Sequence, residues 1–320
     1  MNTTSSLGGM PDETFVVPCE VVWYKDKPLV GYAEVEGSEL LQPFWVETVR
    51  RRKLVTLRPL DDIAAEPAHF RLAGMILAMG RCGSTLLSTL LSSLPGVYVL
   101  REPTPFFDLL DRSRGAPAER LRWVQRLMAA YGNAFGGRLR HLVIKWAPFA
   151  VFYANEITAA FPGVPAIFMH RDPVEVLVSL YERPARMNEV FLPEWFSDEL
   201  RPQGLNASDA RSDPDLTARM IAAVCDAMCG TKDLRLLDYR SLPEAAWSKV
   251  APFFGLDAND AERLRMTELA KFYAKSVSRK QEFKGDSQAK QVRADEAMRT
   301  LARRFVEPRL EHLKTVLRPL

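Results

Sequence analysis

ILAMGRCGSTLL, residues 76–87, sets an unbroken apolar run directly against a glycine-punctuated turn and the start of a leucine-rich stretch. An apolar run bounded by turn residues reads as a strand buried on both faces, the kind found in parallel sheets. Gly80, Arg81, Cys82 and Gly83 then turn the chain, and Leu86, Leu87, Leu90, Leu91 and Leu94 recur at helical spacing. Strand, glycine turn and helix in that order make an anion site, because backbone N–H groups and the positive end of the helix dipole meet at the turn. The turn is not a Walker A loop. That pattern needs a Gly-Lys-Ser/Thr triplet, whereas Gly83 precedes Ser84 here and the nearby cation is Arg81.

Working outward, strand and helix patterns alternate as a parallel α/β sheet requires. Strand 74–79 leads into helix 84–94, and GVYVLRE (96–102) is a second strand. Helix 117–131 precedes strand HLVIKW (141–146), helix 151–161 precedes strand PAIFMH (165–170), and helix 173–183 follows. After a polar stretch at 193–215, helix 214–229 leads to strand LRLLDY (234–239) and helix 243–254, and EAMRTLARRFVEPRLEHL (296–313) has an amphipathic helical pattern. Upstream, residues 1–12 read as irregular, and two β-branched and aromatic runs within 15–36 flank KDKP as in a hairpin. SELLQPFWVETVRRRK (38–53) starts like a helix that Pro43 interrupts, and its Arg50–Lys53 run reads as a solvated face. The expected fold is α/β: a P-loop-type parallel sheet flanked by helices over residues 71–320, after an N-terminal β-containing extension over 1–70.

Composition narrows the function classes. Against 43 basic residues stand 40 acidic ones, a net charge of +3 that gives no reason to expect a nucleic-acid partner. No apolar run approaches the roughly 20 residues of a membrane span. MNTTSSLGGMPDETF lacks the basic and apolar regions of a signal peptide, so a cytoplasmic location is expected. The four cysteines do not suggest a disulfide framework. Cys225 and Cys229 lie one helical turn apart and read as a buried helix face, since the two further ligands that a metal needs are missing.

In a doubly wound sheet, ligands gather beyond the carboxyl ends of the strands. Five strand ends here carry chemistry: Gly80–Thr85, Glu102, Lys145, Arg171 and Tyr239. In HRDPVEVLVSLYER (170–183), Arg171 ends a strand, Pro173 opens a helix and Ser179 lies two turns further along it. Pro173 and Glu175 also suit an ordinary first turn. The functional reading has Arg171 and Ser179 gripping a second phosphate.

RCGST at 81–85, followed by R-D-P-x-x-x-x-x-S at 171–179, resembles the sulfotransferases that use 3′-phosphoadenosine 5′-phosphosulfate (PAPS). The resemblance implies that Arg81, Cys82, Gly83, Ser84, Thr85 and Leu86 cradle the 5′-phosphosulfate, while Arg171 and Ser179 bind the 3′-phosphate. LLDYRSLPEAAWSKVAPFFGL (236–256) is similar to the family's Y-E-D-L segment and following helix, which puts Tyr239 near the adenine. A sulfuryl group carries less charge than a phosphoryl group, so arginine and backbone donors suffice and no metal is expected. Arg81 and Lys145 would neutralise charge on the leaving phosphate oxygen.

The base is where the chain departs from many members. These place a histidine just after the strand-end lysine, but here the segment reads KWAPF (145–149). Tyrosylprotein and some bacterial sugar sulfotransferases instead carry a glutamate at the end of the strand after the first helix, and Glu102 matches it. Its ordinary reading is a capping or salt-bridging carboxylate, paired with Arg101. Asp108 and Asp111 are the reserve candidates, and His170 reads as structural. SVSRKQEFKGDSQAK (276–290), basic and loop-like, offers Arg279 and Lys280 where the family has an Arg/Lys-Gly loop over the 3′-phosphate, although Gln281 replaces the glycine. The acceptor is expected to be a hydroxyl of a small molecule or glycan. Phe106, Phe107, Trp146, Phe149, Trp195 and Phe196 hint at an apolar pocket for it. The rival readings are a P-loop kinase or NTPase, and a non-catalytic nucleotide-binding module.

Overall fold

The computed structural model describes residues 13–49, 52–65, 70–110, 115–182, 214–231, 233–272 and 285–320. Strands β1 (Thr14–Tyr24) and β2 (Lys27–Glu36) form the expected antiparallel hairpin. Lys25 and Asp26 at its turn both have positive φ, +46° and +59°, as a type I′ turn demands. A strand not foreseen, β3 (Thr56–Pro59), pairs antiparallel with β2 and completes a three-stranded sheet. Between them a 3-10 turn, Gly37–Leu41, and α1 (Trp45–Val49) lie on either side of Pro43, the interruption read from the sequence. Residues 1–12, Arg50 and Arg51 lie outside the described residues.

The second sheet is parallel throughout. It comprises β4 (Arg71–Ala78), β5 (Val97–Arg101), β6 (His141–Lys145), β7 (Ala166–His170), β8 (Leu234–Asp238) and β9 (Arg318–Pro319), in the spatial order β5-β6-β4-β7-β8-β9. Each strand from β4 to β8 is a short apolar run because both faces are covered by helices. From β4 the chain crosses by α2 (Ser84–Leu91) to β5 on one side, whereas β7 leads on to β8 on the other. The adjacent strands β4 and β7 therefore send their connections in opposite directions. Their carboxyl ends frame the crevice that this topology leaves open.

The remaining α-helices of six residues or more among the described residues are α3 (Pro105–Leu110), α4 (Pro117–Asn133), α5 (Ala154–Ala160), α6 (Pro173–Glu182), α7 (Pro214–Cys229), α8 (Asp260–Ala270), α9 (Ser287–Arg293), α10 (Glu296–Leu301) and α11 (Glu307–Val316). Three expected helices are irregular. The one at 151–161 begins as a 3-10 turn, Pro148–Tyr153. Those at 243–254 and 296–313 contain π turns at Ala246–Val250 and Ala302–Val306. Each π turn is followed two residues on by a proline, Pro252 or Pro308, which has no N–H for the regular i→i−4 bond. No helix among the described residues is long and apolar enough to cross a membrane.

The two sheets share one continuous core. Phe15 of β1 packs on Phe135 at 5.5 Å between ring centroids, and Trp45 of α1 meets Tyr131 of α4 edge-on at 5.2 Å. In β4, the register against β6 shifts between Leu72 and Gly74, and the ring of Phe254 lies over Gly74. A Cβ at Gly74 would fall 2.4 Å from Phe254 Cγ. Gly74→Ala is accordingly expected to overpack the core and cost about 1–3 kcal/mol. A drop in the urea midpoint with an unchanged slope would show it; an unchanged midpoint would mean that the ring moves aside freely.

Candidate active site

The turn after β4 is built from left-handed residues. Gly80, Arg81 and Gly83 have φ of +85°, +54° and +83°. Glycine adopts this conformation freely, whereas Arg81 does so at a cost of roughly 1–2 kcal/mol. Gly83 is also where Tyr239 comes closest: a Cβ there would sit 2.7 Å from the tyrosine ring. As the residue before α2, Gly83 supplies no capping side chain, so the first-turn N–H groups of that helix have no acceptor from it. Ser84, Thr85 and Leu86 follow, each largely buried. Arg81 Nε donates to Ser179 Oγ at 2.8 Å, and Nη2 reaches the Ser179 carbonyl at 3.4 Å. The turn is thereby tied to the middle of α6. Cys82 lies fully inside; burial pushes its thiol up to about 11, against the opposing pull of Lys145.

Arg171, one residue beyond β7, is only 4% exposed. Its Nε pairs with Glu175 Oε2 at 2.6 Å, one turn along α6. Its Nη2 reaches Asp286 Oδ1 at 2.7 Å and Ser287 Oγ at 3.1 Å. The Tyr239 ring covers the guanidinium at 4.0 Å. Burial alone would lower the arginine's pKa, but the hydrogen bonds to Asp286 and Glu175 outweigh it and leave the value raised. Tyr239 is itself pushed up by burial, with Arg171 pulling the other way. One tyrosine thus touches both the β4 turn and the β7 arginine. Among the described residues, Arg171 and Ser179 share no partner. Ser179 belongs to Arg81, and Arg171 belongs to two carboxylates.

At the other flank of β4, Lys145 ends β6 and is 2% exposed. Its ammonium forms a short ion pair with Glu102 Oε1 and faces the Phe44 ring at 5.2 Å. Glu102, just beyond β5, donates its backbone N–H to the Lys145 carbonyl at 2.7 Å. Its φ of +53° turns the chain out of the sheet at this point. The carboxylate keeps 22% of its surface exposed, so one end of the pair is open while the cation is enclosed. The expected alternative partner of Glu102, Arg101, goes elsewhere. Successive strand residues point to opposite faces, and Arg101 donates to Ser92 Oγ at 2.8 Å and the Gln42 carbonyl at 3.2 Å.

One further expectation is corrected. Residues 276–290 were read as one loop, but α9 starts at Ser287 and buries Lys290, because Lys290 finds Asp286 one turn before it. Phe106 and Trp146 pack on each other at 5.1 Å in the core. His170 is buried on β7, where burial lowers its pKa against the opposing effect of Asp238. Arg279, Lys280, Asp111, Trp195 and Phe196 lie outside the described residues. Among the described residues, no group of three or more His, Cys, Asp and Glu could hold a metal ion. Phe44, Glu175, Asp286 and Lys290 are the residues that sequence reasoning missed. The i, i+4 spacings of Arg171 with Glu175 and of Asp286 with Lys290 carried a signal of the last three.

Comparison with known proteins gives a family-level match. The profile described as "Sulfotransferase family" matches residues 75–260, more than half of the chain. Among solved structures, the sulfotransferase from Alicyclobacillus acidocaldarius is 18% identical, with 78% of this chain and 97% of that one covered and a TM-score of 0.44. The sulfotransferase domain of the Synechococcus PCC 7002 olefin synthase is 16% identical, with 77% and 94% covered and a TM-score of 0.40. No curated protein matches the chain.

The packing of the β4 turn has a direct chemical readout. Burial raises the thiols of Cys19 and Cys82 to about 11 and that of Cys225 to about 12, while Cys229 is partly exposed. Since the thiolate is the reactive form, a disulfide reagent at pH 8 should titrate Cys229 in the native protein, with all four reacting after unfolding. Rapid modification of Cys82 in the folded state would contradict the closed turn.

Proposed function

The chain belongs to the sulfotransferase family, a family of transferases, and on that premise we propose that it moves a sulfuryl group from PAPS to an acceptor hydroxyl in the cytoplasm, leaving adenosine 3′,5′-bisphosphate. The observation that carries this reading is the pair of cationic strand ends at the β4–β7 crevice, Arg81 and Arg171, joined by Tyr239. A donor with phosphates at both ends of its ribose fits two such sites. The fit is also chemical: the α2 N-terminus has no side-chain cap from Gly83, and Arg171 is a buried cation already set among anionic and hydroxyl groups.

In this reading residues 71–320 form the donor-binding unit and residues 1–70 an extension of it. Backbone groups of Cys82–Leu86, with the hydroxyls of Ser84 and Thr85, hold the 5′-phosphosulfate. Arg171 and Ser179 hold the 3′-phosphate, Tyr239 flanks the adenine, and Arg279 is assigned to the 3′-phosphate by motif alone. The donor, when bound, supplies the sulfuryl group. Glu102 accepts the acceptor hydroxyl's proton as its oxygen bonds to sulfur. Arg81 and Lys145 balance the negative charge on the departing phosphate oxygen, a task for fixed cations in a crevice of low dielectric. Lys145 also holds the Glu102 carboxylate at the mouth of the site. The acceptor, a small-molecule or glycan hydroxyl, approaches from the side of Phe44.

Two measurements test this. Adenosine 3′,5′-bisphosphate should raise the melting temperature more than adenosine 5′-monophosphate or ATP does, by mass action on the native state. Equal shifts would sink the two-phosphate assignment. Glu102→Gln should leave bisphosphate affinity nearly unchanged and lower kcat for PAPS-dependent transfer by roughly 100- to 10,000-fold, the usual contribution of a placed general base. Turnover within threefold of the parent would make Glu102 structural and move the search to Asp108.

A further inference from the structure

Asp286 stands immediately before α9, where an aspartate ordinarily caps its own helix. Its carboxylate makes no such cap. Oδ1 accepts from Arg171 Nη2 and Oδ2 pairs with Lys290 Nζ, each at 2.7 Å. A strand-end arginine and a helical lysine therefore converge on one small anion. Lys290 has a side chain only 6% exposed, rare for a lysine. Burial lowers its pKa, Asp286 raises it, and both Arg171 and Arg81 lower it again. The lysine thus lies within electrostatic reach of both arginines that flank the crevice.

Two buried cations held on one partly exposed carboxylate suit a ligand that carries two negative charges. The two carboxylates on Arg171 differ in how firmly they are held. Glu175 is 10% exposed and also accepts from Ser287 Oγ at 2.9 Å, so it fixes the orientation of the guanidinium. Asp286 is 42% exposed, so it has room to turn into water once another anion takes its place on the two cations.

Resting on the donor reading above, we propose that Asp286 is an internal stand-in for the 3′-phosphate of the donor, and that Lys290 is a further ligand of that phosphate, handed over when Asp286 withdraws. Glu175 stays in place, and Ser287 offers a hydroxyl to the incoming oxygens. The nucleotide then competes with a tethered carboxylate, which tunes affinity for the 3′-phosphate and leaves the 5′ end untouched.

The test uses the full chain and two probes, adenosine 3′,5′-bisphosphate and adenosine 5′-monophosphate, titrated by calorimetry into the parent protein, Asp286→Asn, Asp286→Ala and Lys290→Met. The quantity read is the ratio of the two affinities within each variant, which cancels any fraction of inactive protein. Removing the competing carboxylate should raise the preference for the bisphosphate about five- to tenfold, and Lys290→Met should lower it about tenfold, the scale of one charge-assisted contact. Two aspartate variants are made so that misfolding of one leaves the other informative. A preference unchanged or reduced in both aspartate variants would make Asp286 a permanent brace and overturn the exchange. A preference in Lys290→Met within twofold of the parent would remove Lys290 from the phosphate site. If the parent itself shows no preference for the bisphosphate, the donor reading fails and this inference with it.

Discussion

A buried cation must find an anion or a carbonyl close by, because desolvation otherwise costs several kcal/mol, on the order of the stability of a whole domain. The carboxyl edge of the parallel sheet buries four of them: Arg101, Lys145, Arg171 and Lys290. Each is solved differently. Arg101 is wrapped in neutral acceptors between α2 and the N-terminal segment, with its Nε left unbonded. Lys145 takes one carboxylate and the face of a ring. Arg171 takes two carboxylates, a hydroxyl and a ring. Lys290 shares one of those two carboxylates. The enclosed, neutral arrangement belongs to structure. The arrangements with one open end belong to the crevice, where part of an anionic partner remains within reach of solvent.

The N-terminal sheet enters this arrangement through a few residues. Gln42 offers its carbonyl to Arg101, Leu40 offers its carbonyl to Tyr98 at 3.4 Å, and Phe44 lies across Lys145. Gln42 and Phe44, on either side of Pro43, thus bring a backbone carbonyl and an aromatic ring to the adjacent strand ends at Arg101 and Lys145. In the proposed reading, the residues assigned to the donor lie at the strand ends and Phe44, on the acceptor side, comes from the N-terminal segment, with Lys145 between them.

Much of this was legible in the sequence, for a physical reason. Parallel strands buried on both faces must be short apolar runs, and β4, β5, β6, β7 and β8 announce themselves that way. The glycines at 80 and 83 mark the turn because the backbone there needs positive φ. What could not be read has reasons of its own. β3 and β9 are short edge strands, four and two residues long, with little apolar content to reveal them. The choice of Ser179 by Arg81, and of Asp286 by Arg171, depends on which side chains a fold brings together across about a hundred residues, and local pattern carries no trace of that. Lys290 reads in sequence as part of a charged, solvated loop, because the enclosure of its ion pair with Asp286 comes from packing of α9 on α6, which is distant in sequence.

The position of β4 also bears on how the chain reaches its native state. Its hydrogen-bonding partners are β6 and β7, paired through Arg71 with His141 and through Met75 with Ala166. During vectorial synthesis the most apolar strand of the sheet is thus made long before either neighbour exists, with both edges unpaired. Closing such distant contacts is entropically slow, and an unpaired apolar strand is an open template for another chain. The same interleaved order that sets the β4 turn against the β7 arginine thus leaves β4 with both edges open until β6 and β7 have been made.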